Sequence, residues 1–345
     1  MATQGDKWKG FHMILKTQED VGYLTRAINE YLAELGINVL VLEVNTNFQF
    51  QSHPELSEGT VTHRDARELS QLCKEKGIRL IPLFNCLGHQ GWGGKPNSIL
   101  RVYSEFDETP SIPVEAKWPD IYCRSWCPLH PGINPIVFDL IDELIEAFAA
   151  DMFHVGMDEV FEMASDECPR CRGKNRADLF AKAVNDYYEH LSAKNVQMLM
   201  WADRLIDGKG LGYSIWEGDH LGTWPAVDKI PTDIILCDWH YGKQAHYLSV
   251  YYFLNRGFPV WPATWNQVDA ALAFKCYSER AAKELDADDR MLGMLVTGWG
   301  VTGETLLKGL SGIIDDNGGD YEAAKRSAEV VDTLRAVMRS YPTGE

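Results

Sequence analysis

The sequence predicts an α/β protein in which eight strands and their intervening helices close into one (β/α)8 TIM barrel. Short apolar runs alternate with amphipathic helical stretches along the 345 residues. Gly36, Gly77 and Gly257 each follow a helical stretch and precede a strand, where a left-handed cap residue belongs. No Pro/Ser-rich linker or low-complexity tract divides the chain, and barrels commonly exceed about 250 residues. We therefore expect a single catalytic domain over 1–345.

The predicted strands are the short apolar runs, and the predicted helices are the amphipathic stretches between them. The strands lie at 10–15, 38–44, 79–85, 152–156, 197–201, 234–239, 258–263 and 292–299. The helices lie at about 20–35, 63–76, 135–149, 177–193, 245–256, 267–285 and 320–340. A doubly wound sheet is the alternative, but no GxGxxG follows the first strand and no GxxxxGK[ST] occurs in the chain.

Two long loops follow the third and fifth predicted strands, at about 86–134 and 204–233. Both come directly after a strand, so both should lie at the carboxyl ends of the strands. In barrel enzymes, that end carries the active site. The two loops are therefore expected to shape it.

The composition is typical of a globular protein and restricts the classes of partner. Hydrophobic residues make up 45% of the chain and charged residues 24%. A net charge of −17 argues against a nucleic acid partner, and no apolar run approaches the roughly 20 residues that a membrane span needs. The first residues, MATQGDKWKG, lack the pattern of a secretory signal, which predicts a cytoplasmic protein unless a signal was removed.

The segment HVGMDE, residues 154–159, sets two carboxylates side by side after an apolar run. Neighbouring residues on a strand point to opposite faces, so Asp158 and Glu159 can both point inward only if the backbone turns there. Paired acids at a strand end are typical of glycoside hydrolysis. The alternative is that one acid caps the next segment and the other is solvated.

HVGMDE resembles the HxGGDE signature of glycoside hydrolase family 20, the β-N-acetylhexosaminidases, with Met157 in place of the second Gly. The similarity extends over most of the barrel and includes Trp residues that end strands five, six and eight. The resemblance implies an exo-β-N-acetylhexosaminidase that releases terminal β-linked GlcNAc or GalNAc from a glycan or glycoconjugate. It also implies that catalysis needs no cofactor.

The resemblance assigns different roles to the two acids. Asp158 would orient and charge the substrate's own acetamido group, which attacks the anomeric carbon and gives an oxazolinium ion. Glu159 would act as the general acid and then as the general base. Such substrate-assisted retaining enzymes are an exception to the scheme with a protein nucleophile.

Strand periodicity predicts the remaining pocket residues. Trp239 and Tyr241 are two apart and share a face, so together they could hold an acetamido group, with Tyr241 on its carbonyl. Trp201 and Asp203 share a face in the same way. The alternative is that the Trp side chains only fill the upper layer of the barrel. The predicted aromatic ring around the sugar is Trp201, Trp239, Trp265 and Trp299.

Four further side chains are candidates for sugar contacts. His89 and His154 are expected to orient the acids or to contact the sugar, although an isolated His is more often a core residue. Glu304 and Asn266 could bind hydroxyl groups, and a role in an exposed loop is equally consistent.

The chain departs from the family pattern at three points. FHMILK ends the first strand with Lys16, where family members usually carry an Arg that holds the 3- and 4-hydroxyls. WPATWN, residues 261–266, replaces the usual Tyr-Leu-Asp at strand seven. The small β domain that often precedes the barrel is absent from the sequence.

Four of the eight cysteines form two short-spaced pairs on neighbouring loops. Cys123 and Cys127 are spaced CxxxC, and Cys168 and Cys171 form CPRC, a pattern that predicts a closed structural zinc site. Disulfides and free thiols are the alternatives, and His130 is a reserve ligand. The other cysteines are expected to be small buried apolar residues: Cys73, Cys86, Cys237 and Cys276.

Two other functions are compatible with the sequence. A retaining glycosidase with a protein nucleophile would need a second acid about 5 Å from Glu159, and Asp203 or Glu304 would have to supply it. A non-catalytic glycan-binding barrel is suggested by the missing Arg.

Overall fold

The computed structural model describes residues 7–313 and 321–342. Its main sheet has eight strands in the order β6-β5-β4-β3-β2-β1-β8-β7, and every neighbouring pair is parallel. These strands are β1 (Trp8–Ile14), β2 (Val39–Glu43), β3 (Arg79–Cys86), β4 (Met152–Gly156), β5 (Gln197–Trp201), β6 (Ile235–Cys237), β7 (Ala263–Thr264) and β8 (Gly293–Thr297).

The sheet closes on itself between β6 and the residues just before and within β7. Isolated parallel bridges join Leu236 to Val260 and Trp239 to Ala263. The N–H of Leu236 donates to the carbonyl of Pro259 at 2.9 Å, and that of Ala263 donates to the carbonyl of Asp238 at 2.7 Å. The prediction of a (β/α)8 barrel is therefore confirmed.

The seventh strand differs from its predicted range of 258–263, because regular pairing covers only β7. Pro259 and Pro262 interrupt this segment, and proline has no N–H to donate to a ladder. The segment still lies in the barrel wall, where Val260 bridges to Met291.

Helices follow most strands, as the sequence predicts. The described helices are α1 (Gln18–Ala27), α2 (His63–Glu75), α3 (Ser98–Val102), α4 (Ile133–Phe148), α5 (Arg176–Ser192), α6 (Gly208–Leu211), α7 (Leu248–Leu254), α8 (Val268–Glu284), α9 (Gly303–Ser311) and α10 (Tyr321–Arg339). Helix α1 continues as a π-helical segment, Ile28–Leu32. The first residue of the predicted helix 320–340 lies outside the described residues.

Helix α9 was not predicted, and its start explains why. Thr302 caps it in a capping box with Thr305, but a glycine follows the cap and no Glu or Gln completes the sequence signature. Three glycines in the segment 298–303 indicate a loop when the sequence is read alone. The predicted caps Gly36, Gly77 and Gly257 do have positive φ angles.

Two apolar layers surround the strands. In β2, Val39 and Val41 point into the barrel, whereas Leu40 and Leu42 point outward against the helices. All five residues of β2 are buried, as expected for a parallel strand covered on both faces.

The carboxyl ends of all eight strands open toward one face. The longest connections there run from β3 to α4 and from β5 to β6, where the sequence predicts them. The first contains α3 and a short hairpin between Gly91–Trp92 and Lys95–Pro96. Within the described ranges, we find no helix whose length and hydrophobicity would let it cross a membrane.

Candidate active site

A pocket of about 610 Å³ opens at the carboxyl ends of the strands. Its volume lies in the range of small-molecule sites. Each strand, or the connection after it, contributes at least one lining side chain, so the pocket lies on the barrel axis. In chain order, one residue from each is Lys16, Asn45, Asn85, Asp158, Trp201, Trp239, Trp265 and Trp299.

The backbone turns sharply at the end of β4, and this turn presents both acids to the pocket. Gly156, Met157 and Glu159 have φ angles of +70°, +75° and +49°. A Cβ on Gly156 would lie 2.2 Å from Oδ1 of Asn85, so only glycine fits there. Asp158 and Glu159 both line the pocket.

His89 lies between the two carboxylates. Its Nε2 is 3.1 Å from Oδ2 of Asp158 and 3.4 Å from Oε2 of Glu159. The angles are not those of a directed hydrogen bond, so we describe these contacts as ion pairs. Burial alone would lower the pKa of His89, but Asp158, Cys123 and Glu159 together outweigh burial and raise the pKa of His89 well above its ordinary value.

The same ion pair shifts the pKa of Asp158 in the opposite direction. Burial favours the neutral acid, but the charge and contact of His89 and the local backbone N–H together outweigh burial and lower the pKa of Asp158. Near neutral pH, the geometry therefore pairs a carboxylate on Asp158 with an imidazolium on His89.

Asp203 holds the backbone and side chains around the acid pair from below. Its Oδ2 accepts from the N–H of Glu159 at 2.9 Å and from Nε of Arg204 at 2.7 Å, and its Oδ1 accepts from Nε1 of Trp239 at 3.1 Å. Burial raises the pKa of Asp203 to about 6 against the charge of Arg204. Asp203 is 1% exposed and does not line the pocket, so its predicted contact with the sugar is wrong.

Aromatic side chains form the opposite side of the pocket, where the sequence predicts them. Tyr241 stacks on Trp239 with ring centroids 4.9 Å apart and lies 5.7 Å from the ring of Trp265. Nε1 of Trp299 donates to the Tyr241 hydroxyl at 2.5 Å, which leaves the hydroxyl proton able to donate. Burial raises the pKa of Tyr241, so the hydroxyl stays protonated.

Besides Asp203, three candidates from the sequence do not line the pocket. His154 is buried beneath it against Trp201, and burial lowers its pKa to about 3. Glu304 starts α9 and pairs with Lys308, because the helix carries its side chain toward solvent. Asn266 donates to Glu329 at 2.7 Å. Direct sugar contacts by His154 and Glu304 are therefore wrong, whereas His154 lies where a supporting residue would.

Several pocket residues were missed in the sequence. Glu43 ends β2 and accepts from Nδ2 of Asn45 at 2.7 Å and from Nδ2 of Asn85 at 2.9 Å. Tyr122 faces Glu159, and burial together with that acid raises the pKa of Tyr122. Glu43, Asn45 and Asn85 could have been predicted, because polar residues at the carboxyl ends of barrel strands are candidates for the active site, as Asp158 is.

The four patterned cysteines do not come together as predicted. Cys127, Cys168 and Cys171 lie in one buried cluster, and the fourth group there is Glu108. Cys123 lies behind the acid pair instead, with its Sγ 3.9 Å from the backbone oxygen of Glu159. The CxxxC segment is extended rather than helical, so residues four positions apart are separated by about 13 Å and the two thiols reach different sites.

Comparison with known proteins identifies the family to which this chain belongs. Residues 31–305 match the model of glycosyl hydrolase family 20, catalytic domain. A β-hexosaminidase of Emericella nidulans is 25% identical over 218 residues, which are 56% of this chain and 32% of that protein. A chitooligosaccharidolytic β-N-acetylglucosaminidase of Bombyx mori is 27% identical over 161 residues, 42% of this chain and 26% of that protein. The chain thus spans about a third or less of these relatives.

Solved structures share the fold. The chitobiase of Flavobacterium johnsoniae superposes with a TM-score of 0.63 at 17% identity, over 96% of this chain and 51% of that one. An exo-β-N-acetylglucosaminidase of Vibrio harveyi, solved with N-acetylglucosamine, gives 0.63 at 14% identity, over 96% and 58%. The family match covers the acid pair and most of the barrel, and we conclude that the chain belongs to glycosyl hydrolase family 20 as a catalytic domain.

Proposed function

We propose that the chain is an exo-β-N-acetylhexosaminidase that releases terminal β-linked GlcNAc or GalNAc from glycans with retention of configuration. The observation that carries the proposal is the arrangement around Asp158. This carboxylate is held ionised by His89 in a pocket that the Tyr241 hydroxyl and several indole rings also line. Family membership supports the same reaction.

In the first step, Glu159 donates a proton to the glycosidic oxygen as the bond to the anomeric carbon breaks. The carbonyl oxygen of the substrate's acetamido group attacks that carbon and forms an oxazolinium ion. Asp158 stabilises the positive charge that develops on the acetamido nitrogen, and Tyr241 orients the carbonyl. In the second step, Glu159 removes a proton from water, which opens the oxazolinium ion and restores the acetamide.

A protein nucleophile is less consistent with the geometry. Asp203 is buried and its two oxygens accept three N–H donors, and Glu304 lies outside the pocket. Glu43 lines the pocket, but His12, Asn45 and Asn85 already contact its carboxylate. Glu58 also lines the pocket, but Thr46 and Arg101 donate to its carboxylate at 2.6 and 2.9 Å. This leaves the substrate's acetamide as the nucleophile.

The hydroxyl groups of the sugar would face the polar residues after β1, β2 and β3. Lys16 lies on the exposed rim, and Asn45, Asn47 and Asn85 line the wall below it. Amide groups both donate and accept, so this wall can replace an Arg in binding adjacent hydroxyls.

We further propose that residues 1–345 act as one catalytic unit without a cofactor for the reaction. A zinc ion in the cysteine cluster would be structural in this proposal, because none of Cys127, Cys168 and Cys171 lines the pocket.

The test compares the wild type with Asp158→Asn on aryl β-GlcNAc, β-GalNAc and β-glucoside. We expect the wild type to hydrolyse the N-acetylated substrates and to leave the glucoside intact. Asp158→Asn should lower kcat by about 10² to 10³, because a preorganised charge opposite the oxazolinium nitrogen is removed. A thiazoline mimic of the oxazoline should inhibit the wild type strongly.

Glu159→Gln is the matched acid variant. Its turnover should be least impaired with the aryl leaving groups that need no proton. Unchanged kcat in Asp158→Asn, or equal hydrolysis of the glucoside, would contradict the acetamide mechanism. Sugar binding without turnover by the wild type would instead indicate a glycan-binding barrel.

A further inference from the structure

A buried cluster of three thiols and one carboxylate lies outside the pocket. Glu108, Cys127, Cys168 and Cys171 each offer one ligand atom, and these atoms lie within 4.8 Å of one another. The Sγ atoms of Cys127 and Cys171 are 3.2 Å apart. All four side chains are buried, with exposures between 0% and 2%.

One carboxylate oxygen of Glu108 is buried without a hydrogen-bond donor among the described residues. Its Oε2 accepts from the N–H of Ser165 at 3.2 Å, whereas Oε1 is buried and has no hydrogen-bond partner among residues 7–313 and 321–342. A buried carboxylate oxygen without a donor is costly. A disulfide between Cys127 and Cys171 would leave this oxygen only the weak S–H donor of Cys168, whereas a metal ion would satisfy it.

We propose that Glu108, Cys127, Cys168 and Cys171 bind one structural Zn²⁺ ion. Thiolates favour zinc over magnesium or calcium, and zinc also accepts a carboxylate oxygen. Four protein ligands complete a tetrahedral site, which leaves no open position for catalysis. The CPRC spacing of Cys168 and Cys171 is typical of such sites.

The site would join the two loops that border the pocket. Glu108 and Cys127 lie between β3 and α4, whereas Cys168 and Cys171 lie between β4 and α5, in the segment that follows Glu159. Near the cluster, hydrogen bonds already join the two connections: Ser111 donates to Glu167 at 2.6 and 3.0 Å, and the N–H of Ser165 donates to Glu108 at 3.2 Å. The metal would therefore stabilise the loop that carries the general acid without contacting substrate.

The decisive measurement is the zinc content of the full chain purified without chelator. We expect one zinc ion per chain in the wild type and less than about a tenth of that in Cys168→Ser. Cys123→Ser is the matched control, since the CxxxC spacing suggests Cys123 as a ligand but the structure places it elsewhere; it should keep its zinc. Glu108→Gln should weaken zinc binding by at least about tenfold, the least that supporting residues of metal sites cost.

Cobalt substitution counts the thiolates and does not depend on the proposed activity. Co²⁺ should give thiolate charge-transfer absorption that is equal in wild type and Cys123→Ser. Glu108→Cys keeps four ligands, so it provides a test even if Cys168→Ser fails to fold. It should raise that absorption by about a third, because the number of thiolates increases from three to four. Zinc lost in Cys123→Ser but kept in Cys168→Ser, or a metal-free wild type with a Cys127–Cys171 disulfide, would overturn the proposal.

Discussion

Two non-glycine residues with left-handed backbone conformations bring the acids of β4 into the pocket. Met157 and Glu159 both have positive φ angles, which cost roughly 1 to 2 kcal/mol each for residues with a side chain. Asp203 offsets part of that cost at Glu159 by accepting from its N–H. Met157 is 1% exposed, so its conformation is offset by apolar burial.

Substitutions at Met157 should separate the strain from the packing. Met157→Ala loses the buried side chain and keeps the strain, so we expect it to lower the free energy of unfolding by about 2 to 4 kcal/mol. Met157→Gly loses the same packing but relieves the strain, and it should be more stable than Met157→Ala by about 1 kcal/mol. Urea unfolding of both variants measures the difference.

The relative stability of Met157→Ala and Met157→Gly is the control. Glycine is normally the less stable choice because of its backbone entropy. If Met157→Ala proves the more stable of the two, the left-handed conformation at this position is incorrect.

At the scale of elements, the strand ends could be predicted and the loop interiors could not. Periodicity and glycine caps locate the eight strands, the acid pair and the aromatic pocket residues, because each strand end is fixed by the barrel. The partners of Cys127 depend on how a long loop folds back, which spacing alone does not encode. Glu108 lies 19 positions before Cys127 and belongs to no spacing motif, so a metal-ligand pattern could not include it.

Glu304 in helix α9 is another residue whose position could not be predicted from the nearby strand end. The helix turns this side chain away from the pocket, with 47% of it exposed, and pairs it with Lys308 at 2.8 Å. We expect Glu304→Gln to keep kcat and KM for an aryl β-GlcNAc within about twofold, since an exposed i,i+4 pair contributes only a few tenths of a kcal/mol. A fall in kcat to the level of Asp158→Asn would identify Glu304 as a catalytic group.

Across the whole molecule, two buried histidines make opposite contributions to the pH dependence of stability. His240 lies beside Asp238 and Glu217 and stacks on Tyr213. Burial opposes its charge, but the two acids outweigh burial and raise the pKa of His240 to about 9. His154 is buried without such an acid in contact, and its pKa falls to about 3.

The sign of each contribution follows from proton linkage. A raised pKa gives stability that is complete below the ordinary value of 6.5 and is lost as the pH rises through about 9. A lowered histidine pKa gives stability that is present above 6.5 and is lost as the pH falls toward about 3. The two effects together place maximal stability near the ordinary histidine pKa.

We expect His240→Gln to flatten the alkaline side of the stability profile. The wild type should lose stability of the order of 3 kcal/mol between about pH 6.5 and 9 from this group, whereas the variant should not. His154→Gln should instead flatten the acid side. Denaturant unfolding at a series of pH values gives both profiles, and parallel profiles for wild type and His240→Gln would contradict the assigned ion pairs.

The indole rings around the pocket should make ligand binding visible in the tryptophan fluorescence. Five of the eleven tryptophans of the chain line the space where the sugar would bind, since Trp92 joins the four that the sequence predicts. A ligand entering that space replaces water against several of these ring systems. The protein therefore carries its own optical reporter, and its intrinsic fluorescence will register occupancy of the pocket without a label.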